Sequence, residues 1–331
     1  MESGKIRWGF IGTGWIANKF ASALKTVDNS ELFAVGSRNI ESARKFAEEF
    51  NAVKSYGSYK EVAMDKDVDV IYIATPHNLH YENTIMCLDH GKNVLCEKPF
   101  GVNGNEVRGM IAKAQEKNLF LMEALWSRYL PNIIKAKEII DSGEIGKVKF
   151  ISASFAIKST QTLEQRHFNK DLIGGSLMDI GIYNVFLALL ILGKPKEIKA
   201  AAGMSVTDVD NSISAIFKYE GDTLAVLNSS LIIDTPTVAE IHGEKGKILL
   251  EHMWFCPGNI KVIYNDGVEV KLPFEFKSNG YNFEAEEVVK CLLQGKKQSD
   301  LMNWEASLDL IDTLDAIRKQ CGIVYPRHDS D

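Results

Sequence analysis

The sequence predicts an α/β protein of two domains. Residues 1–125 form a doubly wound parallel sheet, and residues 126–331 an α+β domain with a large, mostly antiparallel open sheet. Two observations support this. Residues 5–122 alternate short apolar runs with amphipathic segments, an order satisfied by a parallel sheet with helices on both faces. From residue 197 onward, short apolar runs are separated by glycine-containing turns, which favour antiparallel pairing.

Composition and charge limit the classes of binding partner that we expect. The chain has 331 residues, of which 45% are hydrophobic, and its net charge is −6. The 38 basic and 44 acidic residues are spread along the chain, so no nucleic-acid partner and no anionic membrane surface is predicted. Residues 1–7 lack the apolar core of a signal peptide, and no apolar run approaches the ~18 residues of a membrane span.

The cysteines and histidines predict neither disulfides nor a metal site. The five cysteines are far apart, odd in number and without Cys-x-x-Cys spacing, and the seven histidines form no ligand cluster. We therefore expect a cytoplasmic protein without a structural metal, because a reducing compartment keeps thiols free.

The elements of each domain follow from apolar periodicity and turn residues. Predicted strands of the first domain are 6–11, 32–35, 70–73, 94–96 and 120–122, with helices at 16–25, 40–50, 81–90 and 106–117. In the second domain we predict strands at 147–155, 215–219, 225–227, 238–241, 248–250 and 262–264, joined in part by turns at 220–222, 244–246 and 265–267. Its predicted helices are 130–142, 177–192, 281–294 and 302–321.

The first strand runs directly into a Gly-x-Gly-x-x-Ala turn. Gly12 allows the tight turn, Gly14 lets a pyrophosphate approach the backbone, and Ala17 lets the following helix pack close to the strand. The pattern follows a strand and opens a helix, which is the context of a dinucleotide site rather than of a glycine turn without a ligand. The residues expected to bind the cofactor here are Gly12, Thr13, Gly14, Trp15 and Ile16.

The end of the second predicted strand indicates which dinucleotide is bound. An NAD site has an acid there to bind the ribose 2′-hydroxyl, whereas this chain has Ser37 and Arg38. A guanidinium pairs with a 2′-phosphate, and a serine hydroxyl donates to it. We therefore predict NADP rather than NAD, the alternative being that Arg38 is only solvated.

Two further strand ends face the same edge of the sheet. The third predicted strand is followed by Thr75, Pro76, His77 and His80, whose turn is expected to line the cofactor. Hydrogen-bonded turn histidines are favoured over a catalytic base there. The fourth is followed by Glu97-Lys98-Pro99, which places a lysine in the ligand-binding region, unless it simply leaves the sheet into solvent.

This ordered set of motifs resembles the Gfo/Idh/MocA family of nicotinamide-dependent oxidoreductases. The resemblance continues in residues 123–131 and 174–183, so it covers essentially the whole chain. Within the family the pattern is similar to the branch of dimeric dihydrodiol dehydrogenases and NADP-dependent D-xylose dehydrogenases. The resemblance implies a Rossmann domain followed by an α/β domain whose open sheet forms a homodimer interface.

The resemblance also implies roles for particular residues. It assigns Lys98 to the active site and a cis peptide to Lys98–Pro99. Members that oxidise inositols tend to carry a histidine where this chain has Tyr183, which weakens an inositol interpretation. Glu97 and Pro99 are expected beside the cofactor, and Trp126 and Arg128 are expected to wall the nicotinamide.

Asp179 and Tyr183 are four residues apart in a predicted helix and so share one face. Our hypothesis is oxidation of a secondary alcohol in which Tyr183 transfers the proton, Lys98 tunes it and binds the substrate oxygen, and Asp179 orients the hydroxyl. Lysine as proton carrier stays open. So does a structural interpretation, with Asp179 as an acid at a helix N-terminus and Tyr183 as a core residue.

The predicted substrate pocket is aromatic with few charges, which suits a neutral sugar or cyclic vicinal diol. Phe155 is equally explained as a core residue. A sensor of NADP or sugar on the same fold, without turnover, is the alternative function. The residues expected to contact the substrate are Lys98, Trp126, Phe155, Arg166, Asp179, Tyr183 and Trp254.

Overall fold

A computed structural model describes residues 4–329, which divide into two compact units. The first contains the residues up to Tyr129 together with Phe276–Leu308, and the second contains Leu130–Glu275 together with the residues from Asp309 on. The domain boundary predicted at residues 125–126 lies close to the first crossing between the units. The return of residues 276–308 to the first unit was not predicted from the sequence.

The first unit is built on a six-stranded parallel sheet in the order β3-β2-β1-β4-β5-β6. This order reverses between β1 and β4, and open parallel sheets bind ligands beyond the strand ends at such a point. The strands are β1 (Ile6–Ile11), β2 (Ser30–Gly36), β3 (Lys54–Tyr56), β4 (Val70–Ile73), β5 (Asn93–Glu97) and β6 (Leu121–Ala124).

Five helices alternate with these strands: α1 (Trp15–Leu24), α2 (Ile40–Phe50), α3 (Tyr59–Met64), α4 (His80–Asp89) and α5 (Gly104–Lys117). Their starts follow from capping residues: the Asn39 side chain accepts from the N–H groups of Glu41 and Ser42, and Asn103 caps α5. The predicted helices and strands of this part are confirmed. β3 and α3 were not predicted, because three and six residues carry too little periodicity.

The core of the first sheet is aromatic. Tyr72 of β4 stacks on Phe20 of α1 with ring centroids 4.0 Å apart, and Phe10 of β1 meets both rings edge-on. All three side chains are fully buried, so they fix α1 against the two central strands.

The second unit is built on an eight-stranded sheet in the order β14-β13-β12-β11-β7-β10-β9-β8. Every neighbouring pair is antiparallel except β7 and β10, which confirms a mostly antiparallel sheet. The three predicted turns join β9 to β10, β11 to β12 and β13 to β14. The strands are β7 (Val148–Ala156), β8 (Glu197–Met204), β9 (Asp210–Lys218), β10 (Leu224–Ser230), β11 (Ala239–Gly243), β12 (Gly246–Leu250), β13 (Ile260–Tyr264) and β14 (Glu269–Leu272).

Two helices of this unit carry its core, α6 (Pro131–Asp141) and α7 (Ile182–Leu192). A single helix was predicted over residues 177–192, but its first five residues, Leu177–Gly181, form a π-helical turn. Within the described residues, the segment Lys170–Leu192 has the length and hydropathy of a membrane span. Since 78% of its apolar window is buried in the protein, it is a core segment of this unit.

Two helices close the chain, α8 (Tyr281–Leu293) and α9 (Trp304–Cys321), as predicted. α8 packs on α1 within the first unit, where the Asn279 amide donates to the Lys19 carbonyl. The Trp304 indole donates to the Leu121 carbonyl at the start of β6. The segment between β14 and α9 therefore completes the first unit, although it follows the second unit in the sequence.

Candidate active site

The glycine turn between β1 and α1 has the backbone that its sequence predicts. Gly12 has φ +99°, and an added Cβ would lie 2.5 Å from the Ala74 carbonyl oxygen, so only glycine fits. A Cβ on Gly14 would meet no atom within 4 Å, whereas Ala17 is fully buried. The turn therefore packs closely on its inner side and is open on its outer side.

The start of α1 fits a bound dinucleotide phosphate. Gly14 is the N-cap, no side chain caps the first turn, and Trp15 is 71% exposed. The first N–H groups of the helix are therefore available to an anion, and the helix dipole favours negative charge there. Thr13 and Ile16 lie in the same stretch of backbone. Their contact with a cofactor stays a prediction.

The end of β2 presents a cation to solvent. Arg38 is exposed, and no hydrogen bond or ion pair of its guanidinium is found among residues 4–329. Ser37 is half-buried, and its Oγ accepts a hydrogen bond from the Asn39 N–H at 3.3 Å, which leaves its O–H able to donate. The pair is thus free for a phosphate, as the NADP prediction requires.

His80 ties two of the predicted cofactor turns together. Its ring is fully buried, with Nδ1 2.7 Å from the Pro99 carbonyl and Nε2 3.0 Å from the Thr75 carbonyl. Burial lowers the pKa of His80, so the ring is neutral near pH 7 and one of its nitrogens carries the proton. This geometry matches a hydrogen-bonded turn histidine. His77 is buried edge-on against it, with ring centroids 5.6 Å apart, and follows Pro76.

Lys98 is held by the residues on either side of it. Glu97 at the end of β5 is buried and accepts hydrogen bonds from the Tyr72 hydroxyl (2.5 Å) and the Lys98 N–H (3.2 Å). The Lys98–Pro99 peptide is cis, which confirms that prediction. Lys98 is half-buried, and its backbone N–H is held by the Glu97 carboxylate.

Two buried carboxyl groups near Glu97 were missed by sequence reasoning. Glu284 of α8 is fully buried, neither of its oxygens has a hydrogen-bond partner among the described residues, and burial raises its pKa well above the usual range, with the charge of Glu97 adding to the effect. Burial also raises the pKa of Glu123 to about 7, although its carboxylate accepts from the Phe100 N–H. Glu284 could have been found as an acid on the apolar face of α8.

Trp126 and Arg128 follow β6 in a short 3₁₀ turn, Trp126–Tyr129. The Trp126 ring stacks on Tyr281 of α8 at 4.2 Å and an interplanar angle of 10°. The Arg128 Nε donates to the Leu301 carbonyl at 2.8 Å, and burial lowers the pKa of Arg128. Both side chains are therefore engaged within the first unit, and their contact with a nicotinamide stays a prediction.

In the second unit, Asp179 is a buried carboxylate with two nitrogen partners. It lies in the π turn and is 5% exposed. Arg166 Nη1 binds its Oδ1, and His167 Nε2 lies 3.1 Å from its Oδ2. The other ring nitrogen of His167 lies 2.7 Å from the Ser159 hydroxyl. Arg166 and Asp179 are therefore brought together, with His167 as a third member, and their contact with a substrate stays a prediction.

Tyr183 lies in an aromatic cluster at the start of α7. It is 6% exposed, with ring centroids 5.0 Å from Phe255 and 5.8 Å from Phe155. Phe155 stacks on Phe255 at 4.0 Å. Trp254 meets Phe255 edge-on at 6.2 Å and donates its indole N–H to the Ser154 carbonyl. The cluster brings three predicted residues together around Phe255, which sequence reasoning missed.

The predicted residues thus fall into two sets, one in each unit. The glycine turn, Arg38, the His80 turn and Lys98 belong to the first, and Asp179 and Tyr183 belong to the second. Among the described residues, no group of three histidine, cysteine or acidic side chains is placed to hold a metal ion.

The fold and the glycine turn define a dinucleotide-dependent oxidoreductase. Residues 6–125 match the profile of an oxidoreductase family described by its NAD-binding Rossmann fold, and residues 133–249 match the profile of the Gfo/Idh/MocA C-terminal domain. The chain belongs to the Gfo/Idh/MocA family, which confirms the resemblance and the predicted fold class.

Relatives and solved structures agree with this membership. The trans-1,2-dihydrobenzene-1,2-diol dehydrogenases of Xenopus laevis and Homo sapiens are 38% and 34% identical to the chain, covering 97% of it and 99% and 98% of their own lengths. KijD10, a 3-ketoreductase from Actinomadura kijaniata solved with NADP and TDP-benzene, superposes with a TM-score of 0.87 at 26% identity, over 96% of this chain and 98% of its own. A levoglucosan dehydrogenase shares the fold, with a TM-score of 0.88 at 19% identity over 96% and 97% of the two chains.

Proposed function

We propose that the protein is an NADP-dependent dehydrogenase that oxidises a secondary alcohol of a sugar or cyclic vicinal diol. The observation that carries the choice of cofactor is Arg38, which is exposed after β2 without an ion pair among the described residues, where an NAD enzyme has an acid. Ser37 supplies a hydroxyl beside it. The crystal complexes of KijD10 with NADP support the same choice.

The substrate class is proposed from the second unit. Tyr183, Phe155 and Phe255 form an apolar wall, and Asp179 is the acid closest in sequence to Tyr183. Its charge is met by Arg166, so that guanidinium is already engaged by a carboxylate of the protein. A neutral ring with two hydroxyl groups suits such a site. The names of the dihydrodiol dehydrogenase relatives support a diol.

The roles proposed for the reacting residues follow from their chemistry. Bound NADP accepts the hydride from the alcohol carbon. Tyr183 takes the hydroxyl proton, Lys98 binds the substrate oxygen and favours the phenolate, and Asp179 orients the hydroxyl. Crystal structures of KijD10 include variants in which a lysine or a tyrosine is replaced, the same residue types as Lys98 and Tyr183. Lysine as the proton carrier is the competing assignment.

A substrate panel tests this proposal. The protein is mixed with NADP and a series of aldoses, inositols and cyclic diols, and reduction is followed by nicotinamide absorbance. We expect turnover with at least one neutral sugar or diol, and a loss of about 10²- to 10⁴-fold in Tyr183→Phe, the contribution of a positioned acid or base. The control is Tyr264→Phe, because Tyr264 is a phenol on β13 that binds Glu144 at the surface.

The outcomes distinguish the assignments. Tight NADP binding without turnover on any substrate contradicts the dehydrogenase and favours a sensor. Turnover with an unchanged hydride-transfer rate in Tyr183→Phe leaves the dehydrogenase intact and shifts the proton to Lys98.

We further propose a homodimer that pairs through the eight-stranded sheet, in the cytoplasm. Along β9, Ile213, Ala215 and Phe217 are buried, while Ile216 on the opposite face is 47% exposed. The other residues on that face are Ser212, Ser214 and Lys218, and an exposed isoleucine among them is compatible with a sheet face covered by a partner. The five cysteines are all unpaired, which suits a reducing compartment, and imaging of a fluorescent fusion would test the location.

A further inference from the structure

A buried carboxylate lies at the start of the segment that carries Asp179 and Tyr183. Asp210, the first residue of β9, is fully buried, and its Oδ2 accepts hydrogen bonds from the Ser176 hydroxyl (2.8 Å) and the Leu177 N–H (2.7 Å). Leu177 is the first residue of the π turn. Asp210 therefore caps the N-terminal end of that turn, where the helix dipole favours a negative charge.

The backbone just before the turn leaves no room for movement. Gly175 has φ +126°, and an added Cβ would lie 2.2 Å from Asp210 Oδ1. A Cβ on Gly174 would lie 2.6 Å from the Arg166 carbonyl. Because protein interiors are close-packed, a displacement of Asp210 is passed on to the turn rather than absorbed.

Tyr325, near the end of the described chain, contacts the backbone just before the π turn. The Tyr325 hydroxyl donates to the Gly174 carbonyl at 2.7 Å, and its ring lies 4.6 Å from the Arg318 guanidinium. The Tyr325 N–H donates to Asp329, which also binds Arg318. Burial raises the pKa of Tyr325, so its phenol stays protonated and remains a donor.

A strained residue lies within this loop. Ile173 is buried and has φ +59°, a conformation that β-branched residues rarely adopt. Such strain persists only where the surroundings impose it, and it is frequent at functional sites. In the first turn of α7, just beyond the π turn, the Asn184 amide donates to the Asn228 carbonyl of β10 at 2.8 Å. The sheet therefore holds the start of the π turn and the start of the helix that follows it.

We propose that Asp210 and Tyr325 are positioning residues of the reaction, which hold residues 174–177 and thereby aim Asp179 and Tyr183 at the substrate. The proposal rests on the proposed function in that Asp179 and Tyr183 are taken as the reacting pair. A π turn at the start of a helix changes the direction of the side chains after it, and such turns are frequent at functional sites.

Asp210 is ionised at neutral pH at a cost to stability. Burial raises its pKa to about 6, so the folded chain binds this proton more tightly than the unfolded chain, and its contribution to stability falls as pH rises through about 6. The titratable groups facing it are Tyr325 and Cys321, whose pKa values are raised by burial and further by the charge of Asp210, with Arg318 beyond the Tyr325 ring. Asp210→Asn removes this cost and keeps the side-chain shape, but it replaces the charged acceptor of the Ser176 and Leu177 hydrogen bonds with a neutral amide, which weakens the hold on the turn.

The test compares Asp210→Asn and Tyr325→Phe with Tyr264→Phe, a surface phenol on β13. We expect kcat to fall about 10- to 100-fold in the first two variants, because a misplacement of up to about 1 Å has effects of this size. The KM for NADP should stay within about twofold, and Asp210→Asn should unfold no more readily than the parent at neutral pH. In a Tyr183→Phe background, Asp210→Asn should change kcat by less than about twofold, because it acts through Tyr183.

Hydrogen exchange of peptides spanning residues 170–186, measured without substrate, separates this proposal from the proposed function. Faster exchange confined to that segment in Asp210→Asn and Tyr325→Phe supports the positioning role even if no substrate is found. The proposal is overturned if hydrogen exchange in that segment is unchanged. It is also overturned if Asp210→Asn lowers kcat by the same factor in the parent and in the Tyr183→Phe background. A uniform loss of stability with normal kcat also overturns it, because the residues would then serve the fold alone.

Discussion

Replacing Arg38 tests the cofactor assignment more directly than any other change. Arg38 is exposed, and no ion pair or hydrogen bond of its side chain is found within the described part of the chain. Arg38→Ala therefore removes the proposed contact with the 2′-phosphate of NADP without leaving a buried partner unsatisfied. The fold should be unaffected, so a change in kinetics reports on binding alone.

The magnitude follows from the exposure of the side chain. A hydrogen bond to a charged group contributes about 1.5–3 kcal/mol, and an exposed guanidinium lies in the lower half of that range because water screens it. We therefore expect the KM for NADP to rise about 10- to 50-fold, with the KM for NAD changed by less than about twofold. Added salt should reduce the difference between parent and variant, because the lost interaction is between charges.

Arg44→Ala is the matched control. Arg44 is an exposed arginine on α2 whose guanidinium pairs with Glu41, so its loss changes the net charge equally without removing a group at the end of β2. Steady-state kinetics with both dinucleotides give the comparison. An equal rise of the two Michaelis constants in Arg38→Ala, or the same NADP effect in Arg44→Ala, refutes the assignment of the 2′-phosphate to Arg38.

Two further predictions concern stability and assembly. Burial raises the pKa of Glu123 to about 7, so the folded chain favours the protonated form and loses up to about 3 kcal/mol of stability as pH rises from about 5 to 8. Glu123→Gln should remove this pH dependence of the free energy of unfolding, measured with urea. A variant with the same pH profile as the parent contradicts the prediction. If the proposed dimer forms through the sheet, Ile216→Asp, which places a charge on the exposed face of β9, should yield monomers in sedimentation, whereas Val53→Asp at an exposed site of the first unit should not. A dimer that survives Ile216→Asp argues against the sheet interface.

The sequence predicts the fold well where the pattern is local. β1 and β4 were predicted with their observed bounds: β4 is a continuous buried apolar run, and β1 is buried from Trp8 to its end at the glycine turn. The β8 strand could not be placed individually, because its alternating small residues, such as Ala200 and Ala202, carry little hydrophobic contrast. The return of α8 to the first unit depends on contacts distant in sequence, which no local periodicity reports.

The residues of the candidate site likewise divide into those that local patterns predict and those that depend on contacts distant in sequence. The glycine turn, Arg38 and the cis peptide of Lys98 follow from spacing and from the family pattern. Phe255 was not assigned, because what places it beside Tyr183 is the folding of the loop 251–259. The π turn was also missed, because an apolar stretch with an extra residue in one turn has the composition of an ordinary helix.

The surroundings of Asp179 narrow the possible proton carriers. One of its oxygens binds the Arg166 guanidinium, and the other lies 3.1 Å from the His167 ring. A carboxylate engaged on both oxygens is poorly suited to remove a proton, because accepting one would break a contact that its charge sustains. It is well suited to hold a hydroxyl in place. In the proposed mechanism the proton passes to Tyr183 or Lys98, and the hydride-transfer rate of Tyr183→Phe decides between them.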